Sequence, residues 1–220
     1  MTILHRYLEE PISAITHLVG AMASLVGMVI LLLLARGSPG RSLSLAIYGS
    51  SMVVLFAASS LFHGAKLKGD GRYLLNRLDH AAIFLLIAGT YTPIVYNLFP
   101  VQWRWYTLVL IWTIALVGIA YKLVSSQIHG LFNTSIYPLI SWAGVVPAIL
   151  AYRIQPLVPR AGLLLLILGG LVYMLGFVIY YRRWPNPWPG VFGHHEIWHI
   201  FVMGGSLLHY VFVLFFVALK

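Results

Sequence analysis

Seven long stretches of this chain contain no Asp, Glu, Lys or Arg: residues 12–35, 42–65, 80–103, 105–121, 123–152, 161–181 and 197–219. Crossing a bilayer takes about 20 predominantly apolar residues. Inside hydrocarbon the backbone finds no water, so each crossing segment satisfies its own N–H and C=O groups as a helix. The pattern predicts an all-α integral membrane bundle of seven transmembrane helices forming a single domain over 1–220. Turn and motif residues trim the spans to about 12–35, 42–65, 79–100, 104–122, 131–152, 161–181 and 196–219. The start of the long fifth stretch, through His129-Gly130, reads as loop.

Charge supports the same class. Only 9% of residues are charged, against about 25% in soluble domains. The net charge of +9 does not indicate nucleic-acid binding, because Lys and Arg fall singly or in pairs between the apolar stretches, with no basic stripe. Such residues orient spans in the membrane. Trp103, Trp105, Trp184 and Trp188 fall at expected span ends, as an aromatic belt requires. Gly169, Gly170 and Gly176 are expected to allow close helix packing. The first ten residues lack a signal-peptide layout, so the first span is expected to direct insertion. The face holding the N-terminus carries eight Lys and Arg and the other face six, which places the N-terminus in the cytoplasm. The expected location is a bacterial inner membrane. Membrane lipids are the expected partners, and a homo-oligomer is left open.

The ionisable residues are distributed unevenly. With alternating spans, all five acidic residues (Glu9, Glu10, Asp70, Asp79 and Glu196) map to the N-terminal face. So do eight of the nine histidines, namely His5, His17, His63, His80, His129, His194, His195 and His199. His209 alone lies deeper, about 15 Å along the last helix. Polar side chains avoid the bilayer centre for solvation reasons alone, but the opposite face has loops too and receives none of these residues. Ionisable groups at membrane depth mark function by default.

Three segments concentrate the chemistry: "ASSLFHG" with Ser59 and His63, "NRLDHAAIFLLIAGTYTP" with Asp79, and "GHHEIWHIF" with His195 and His199. Two histidines at i and i+4 share a helix face and can bind one metal ion. His63 can complete a set of three, leaving a fourth position for water, the arrangement of catalytic zinc sites. The chain has no cysteine, so a metal site must use His, Asp or Glu. Asp79 can hold or deprotonate a water, and Ser59, four residues before His63, can orient a ligand. Each residue also has an ordinary structural reading: His63 and Ser59 as packed polar groups, Asp79 as a helix N-cap. "HEIWH" matches the zincin pattern H-E-x-x-H, in which Glu196 would be a general base.

These segments, with "EEPISAITHLVG" near the start and "HHEIWHIFVMGGSLLHY" near the end, resemble the hemolysin III family within the progestin and adiponectin receptor superfamily. The resemblance covers essentially the whole chain. Its first element is looser, with Ser13 where relatives often have Asn. It implies seven helices, a cytoplasmic N-terminus and Zn2+ near the cytoplasmic face. His63, His195 and His199 match the family's ligands, while Ser59 and Asp79 match its Ser and Asp, the latter acting through a water. Glu196 has no constant counterpart, which favours a helix-start acid stabilised by the dipole over a zincin base. Glu10 and His17 resemble the family's N-terminal element and share a helical face, with support of the site and surface solvation both open.

The expected function is zinc-dependent hydrolysis of a lipid amide such as a ceramide, in membrane lipid homeostasis. The alternatives are a non-catalytic sensor of membrane state with a structural zinc, a haemolysin-type pore former, and an intramembrane protease using Glu196. A retinal protein is excluded because the last span has Lys only at its end, Lys220. A G-x-S-x-G elbow is absent, and charges do not recur along any span as a proton relay would require.

Overall fold

The computed structural model describes residues 3–125, 131–143 and 158–220. Seven α-helices occupy the described residues: α1 (Pro11–Leu34), α2 (Pro39–Gly64), α3 (Gly69–Leu98), α4 (Val101–Val124), α5 (Leu131–Ala143), α6 (Arg160–Arg182) and α7 (His194–Val213). All but α5 are long and apolar enough to cross a membrane. The described part of α5 has 13 residues, about 20 Å. The rest of the expected fifth span, 144–152, lies outside the described residues, as does His129.

Two of the helices, α1 and α6, pack through small residues and turn their large side chains outward. On α1 the buried face is Pro11, Ser13, Ala14, His17, Gly20, Ala21, Ser24, Gly27 and Leu31, nearly all small or polar. Its large side chains, including Leu18, Val19, Met22, Leu25 and Val26, point outward. Lipid tails are as apolar as leucine, so burying leucine between helices gains little, and small residues let backbones approach closely instead. On α6 the buried residues are Gly162, Gly169 and Gly176, one every seven positions. A Cβ on Gly169 would meet the His209 ring at 2.5 Å, and one on Gly176 would meet Phe201 Cβ at 2.4 Å. Gly170 faces away from this contact, with Trp142 at 3.5 Å as the nearest neighbour. Of the three glycines read as packing residues, two therefore sit in the α6–α7 seam.

Successive helices pack antiparallel, α1 on α2, α2 on α3, α3 on α4 and α6 on α7, and α7 returns against α1. This closure brings the first and last spans together. Trp103, Trp105, Trp184 and Trp188 are all exposed, at the start of α4 and in the segment between α6 and α7.

One expected boundary differs by far more than the others. The helix carrying Asp79 starts at Gly69, ten residues before its expected span over 79–100. Asp70, Arg72 and Arg77 lie within its first turns, so the loss of charge does not mark where the helix begins. Asp79 is consequently a mid-helix residue and no N-cap. Arg77 ties this extension to the end of α4 by donating to the carbonyls of Val124 (3.2 Å) and Ser125 (2.7 Å).

Candidate metal centre

The end of α2 and the starts of α1, α3 and α7 meet at one face of the bundle, and the residues singled out in the sequence lie there. His195 and His199 are one turn apart on α7, with Nε2 atoms 3.2 Å apart. His63, one residue from the end of α2, points its Nε2 at that of His195 across 3.3 Å. One ligand atom from each of the three rings lies within 4.8 Å of the others, so the group can hold a metal ion. His63 and His199 are each only 2% exposed.

The donor set fits a metal chemically. Neutral imidazoles carry one lone pair each, and three converging nitrogens repel unless a proton or a cation lies between them. Two nitrogens bound tetrahedrally to zinc at about 2.0–2.1 Å would lie about 3.3 Å apart, close to the spacing of both pairs.

Asp79 on α3 lies beside Ser59 of α2 and within electrostatic reach of His63 and Glu10. Ser59 is buried, two percent exposed. Tyr137 of α5 and Tyr180 of α6 lie within the field of the same carboxyl. The Tyr180 ring is 5.6 Å from that of His195, and Tyr137 donates to the carbonyl of His80 at 3.3 Å. Sequence reading missed both tyrosines, because aromatics at span ends are ordinarily interfacial anchors.

The structure gives Glu10, His17 and Glu196 definite places. The Glu10 carboxylate accepts from Nδ1 of His63 at 2.6 Å and from Arg72 at 3.3 Å. The hydrogen bond from His63, the largest influence, holds the Glu10 carboxyl below the usual carboxylate range. His17 lies flat against His199. Glu196 accepts from the backbone N–H of Gly193 at 2.8 Å and from the Ser13 hydroxyl at 3.0 Å. It caps the start of α7 and ties it to α1, the role expected of a helix-start acid. His80 bonds within its own helix, to the Asn76 carbonyl at 2.9 Å. His209 sits deep in the bundle and donates to the Leu166 carbonyl at 3.2 Å. The side chains of His5 and His129 lie outside the described residues.

Residues 5–210 match the haemolysin-III-related family. The chain belongs to that family. It is 35% identical to the hemolysin-3 homolog of Bacillus subtilis (strain 168), over 94% of each chain. It is 34% identical to hemolysin-3 of Bacillus cereus, over 99% of this chain and 96% of the relative. An adiponectin receptor protein of Drosophila melanogaster is 29% identical over 89% of this chain and 48% of its own length. This haemolysin-III-related protein is thus an integral membrane helical bundle within the progestin and adiponectin receptor superfamily, with a histidine triad that can hold a metal ion.

Proposed function

We propose that the protein is a zinc-dependent hydrolase of lipid amides of the ceramide type, acting in membrane lipid homeostasis from a bacterial inner membrane with its N-terminus in the cytoplasm. The observation that carries this reading is the convergence of three imidazole Nε2 atoms beside a carboxyl, Asp79, that is not one of the three. His63, His195 and His199 would hold the ion. A bound zinc ion would lower the pKa of a water toward about 7 and polarise a carbonyl. Three ligands from the protein leave a position open, which fits a catalytic more than a structural site.

In this mechanism Asp79 accepts the proton of the attacking water, and the Ser59 hydroxyl holds the carboxyl toward that water. The water oxygen bonds to the amide carbon, the carbon–nitrogen bond breaks, and the nitrogen leaves as an amine carrying the proton returned by Asp79. The products are a fatty acid and a long-chain amine, both soluble in the bilayer that supplied the substrate. The fully buried Tyr48, Phe84 and Phe212 fill the bundle interior, which favours this reading over a wide pore within one chain.

The test uses purified protein with a fluorescent ceramide. Turnover by the wild type, lost in His199→Ala, supports the reading, and equal turnover in both rejects it. Metal analysis runs alongside, with one zinc per chain expected in the wild type and none in His63→Ala.

A further inference from the structure

A histidine that ligates a metal through Nε2 must carry its proton on Nδ1, and a partner for that N–H fixes both the tautomer and the plane of the ring. His63 has such a partner. Its Nδ1 lies 2.6 Å from Oε2 of Glu10, and its Nε2 faces His195. The same two residues are joined a second time through the backbone, where the Glu10 N–H donates to the His63 carbonyl at 2.9 Å. The next pair along repeats the contact, Glu9 N–H to the Gly64 carbonyl at 3.3 Å. Pro11, the first residue of α1, fixes the backbone just beyond Glu10. The backbone that carries the carboxylate is therefore fixed against the end of α2.

The other carboxylate oxygen is also held. Arg72, in the first turn of α3, donates to Oε1 at 3.3 Å, and its guanidinium lies 4.9 Å from the centroid of the Phe62 ring, the residue before His63. Three chain segments thus close around one imidazole: the lead into α1, the end of α2 and the start of α3.

We propose that Glu10 is the positioning residue of the centre. It holds His63 as the Nδ1–H tautomer with Nε2 turned toward the metal position, and Arg72 in turn holds Glu10. The assignment rests on the metal-binding reading above. Glu10 also supplies negative charge beside three neutral ligands, which favours a cation at that point.

The experiment uses the full-length chain in detergent. Zinc affinity is measured by competition with a chromophoric chelator for the wild type, Glu10→Ala, Glu10→Gln and Arg72→Gln. The tautomer of His63 is read separately by nitrogen NMR of metal-free protein labelled at histidine. Removing such a partner weakens metal binding by about 10–100-fold, which is the expected loss for Glu10→Ala. Glu10→Gln should fall between it and the wild type, and Arg72→Gln should lose less than Glu10→Ala. The wild type should show His63 as the Nδ1–H form, and Glu10→Ala should shift it toward the Nε2–H form. If Glu10→Ala does not fold, the isosteric Glu10→Gln carries both readouts. Wild-type affinity and an unchanged His63 tautomer in the folded variants would overturn the assignment. A wild type that binds no zinc would sink the metal reading alone, since the tautomer measurement still decides what Glu10 does.

Discussion

The imidazole of His17 lies flat against that of His199, with ring centroids 3.7 Å apart and planes inclined by 12°. His17 is 3% exposed, and neither of its ring nitrogens has a hydrogen-bond partner of normal geometry among the described residues. Phe56 meets the His17 ring in a T-shaped contact, with centroids 5.1 Å apart. The ring therefore acts as a wall of the candidate metal centre, backing one of its three imidazoles. His17→Ala would leave a void behind His199, costing about 2–4 kcal/mol by analogy with other large buried side chains. The expected drop in melting temperature is roughly 5–15 °C. His17→Phe, which keeps a flat ring, should recover most of it. Thermal unfolding followed by circular dichroism checks both.

Asp79 and the three histidines have separable roles in the proposed chemistry. Asp79→Asn should retain its zinc while lipid-amide turnover falls about 10²–10⁴-fold, the usual loss on removing a general base. His63→Ala should lose both zinc and turnover. Zinc analysis and turnover on the same preparations decide it, and full activity in Asp79→Asn would remove that residue from the mechanism.

Glu196 is the residue a motif search would place at the centre of "HEIWH". Its oxygens are engaged with Gly193 and Ser13, so Glu196→Gln should bind zinc and turn over substrate like the wild type. Glu196→Ala should lower stability by about 0.5–2 kcal/mol, the range for losing a helix cap. A large loss of turnover in a zinc-loaded Glu196→Gln would revive the protease-like reading.

The small-residue seams predict position-specific intolerance. Gly118→Ala would drive a Cβ to 2.4 Å from the fully buried Phe84 ring, and Gly169→Ala to 2.5 Å from His209. Each should cost about 1–3 kcal/mol. Gly170→Ala, with its nearest neighbour at ordinary contact distance, should be near neutral. Thermal unfolding of the three variants side by side gives the comparison.

Metal removal should expose the coupling between the site and the bundle. A ligand at 100 times its dissociation constant adds about 2.7 kcal/mol to stability. Dialysis against a chelator should therefore lower the melting temperature of the wild type by several degrees and leave that of His63→Ala unchanged.

The fold class was legible because charge is expensive in hydrocarbon, so charge-free stretches trace the spans directly. The same signal failed at the start of α3, where the helix runs through Asp70, Arg72 and Arg77. Charge reports the solvent and not the backbone. The convergence of His63, His195 and His199 followed from helix direction and the i,i+4 spacing, which fix face and depth. What sequence left open was which side chain turns to which. Glu10 and His17 lie on one face of the chain around α1, yet one meets His63 and the other His199. Tyr137 and Tyr180 reach the centre from helices whose rotation no periodic pattern specifies.

Two of the three converging imidazoles come from the last helix, and their partner on α2 lies 132 residues before His195. A membrane chain is threaded from its N-terminus, so His63 enters the bilayer long before His195 is synthesised. The triad cannot exist until α7 has inserted and closed against α1. A cation needing all three rings is captured only once α7 has closed on α2, so its capture would report that the helix carrying His195 and His199 is seated beside the first two.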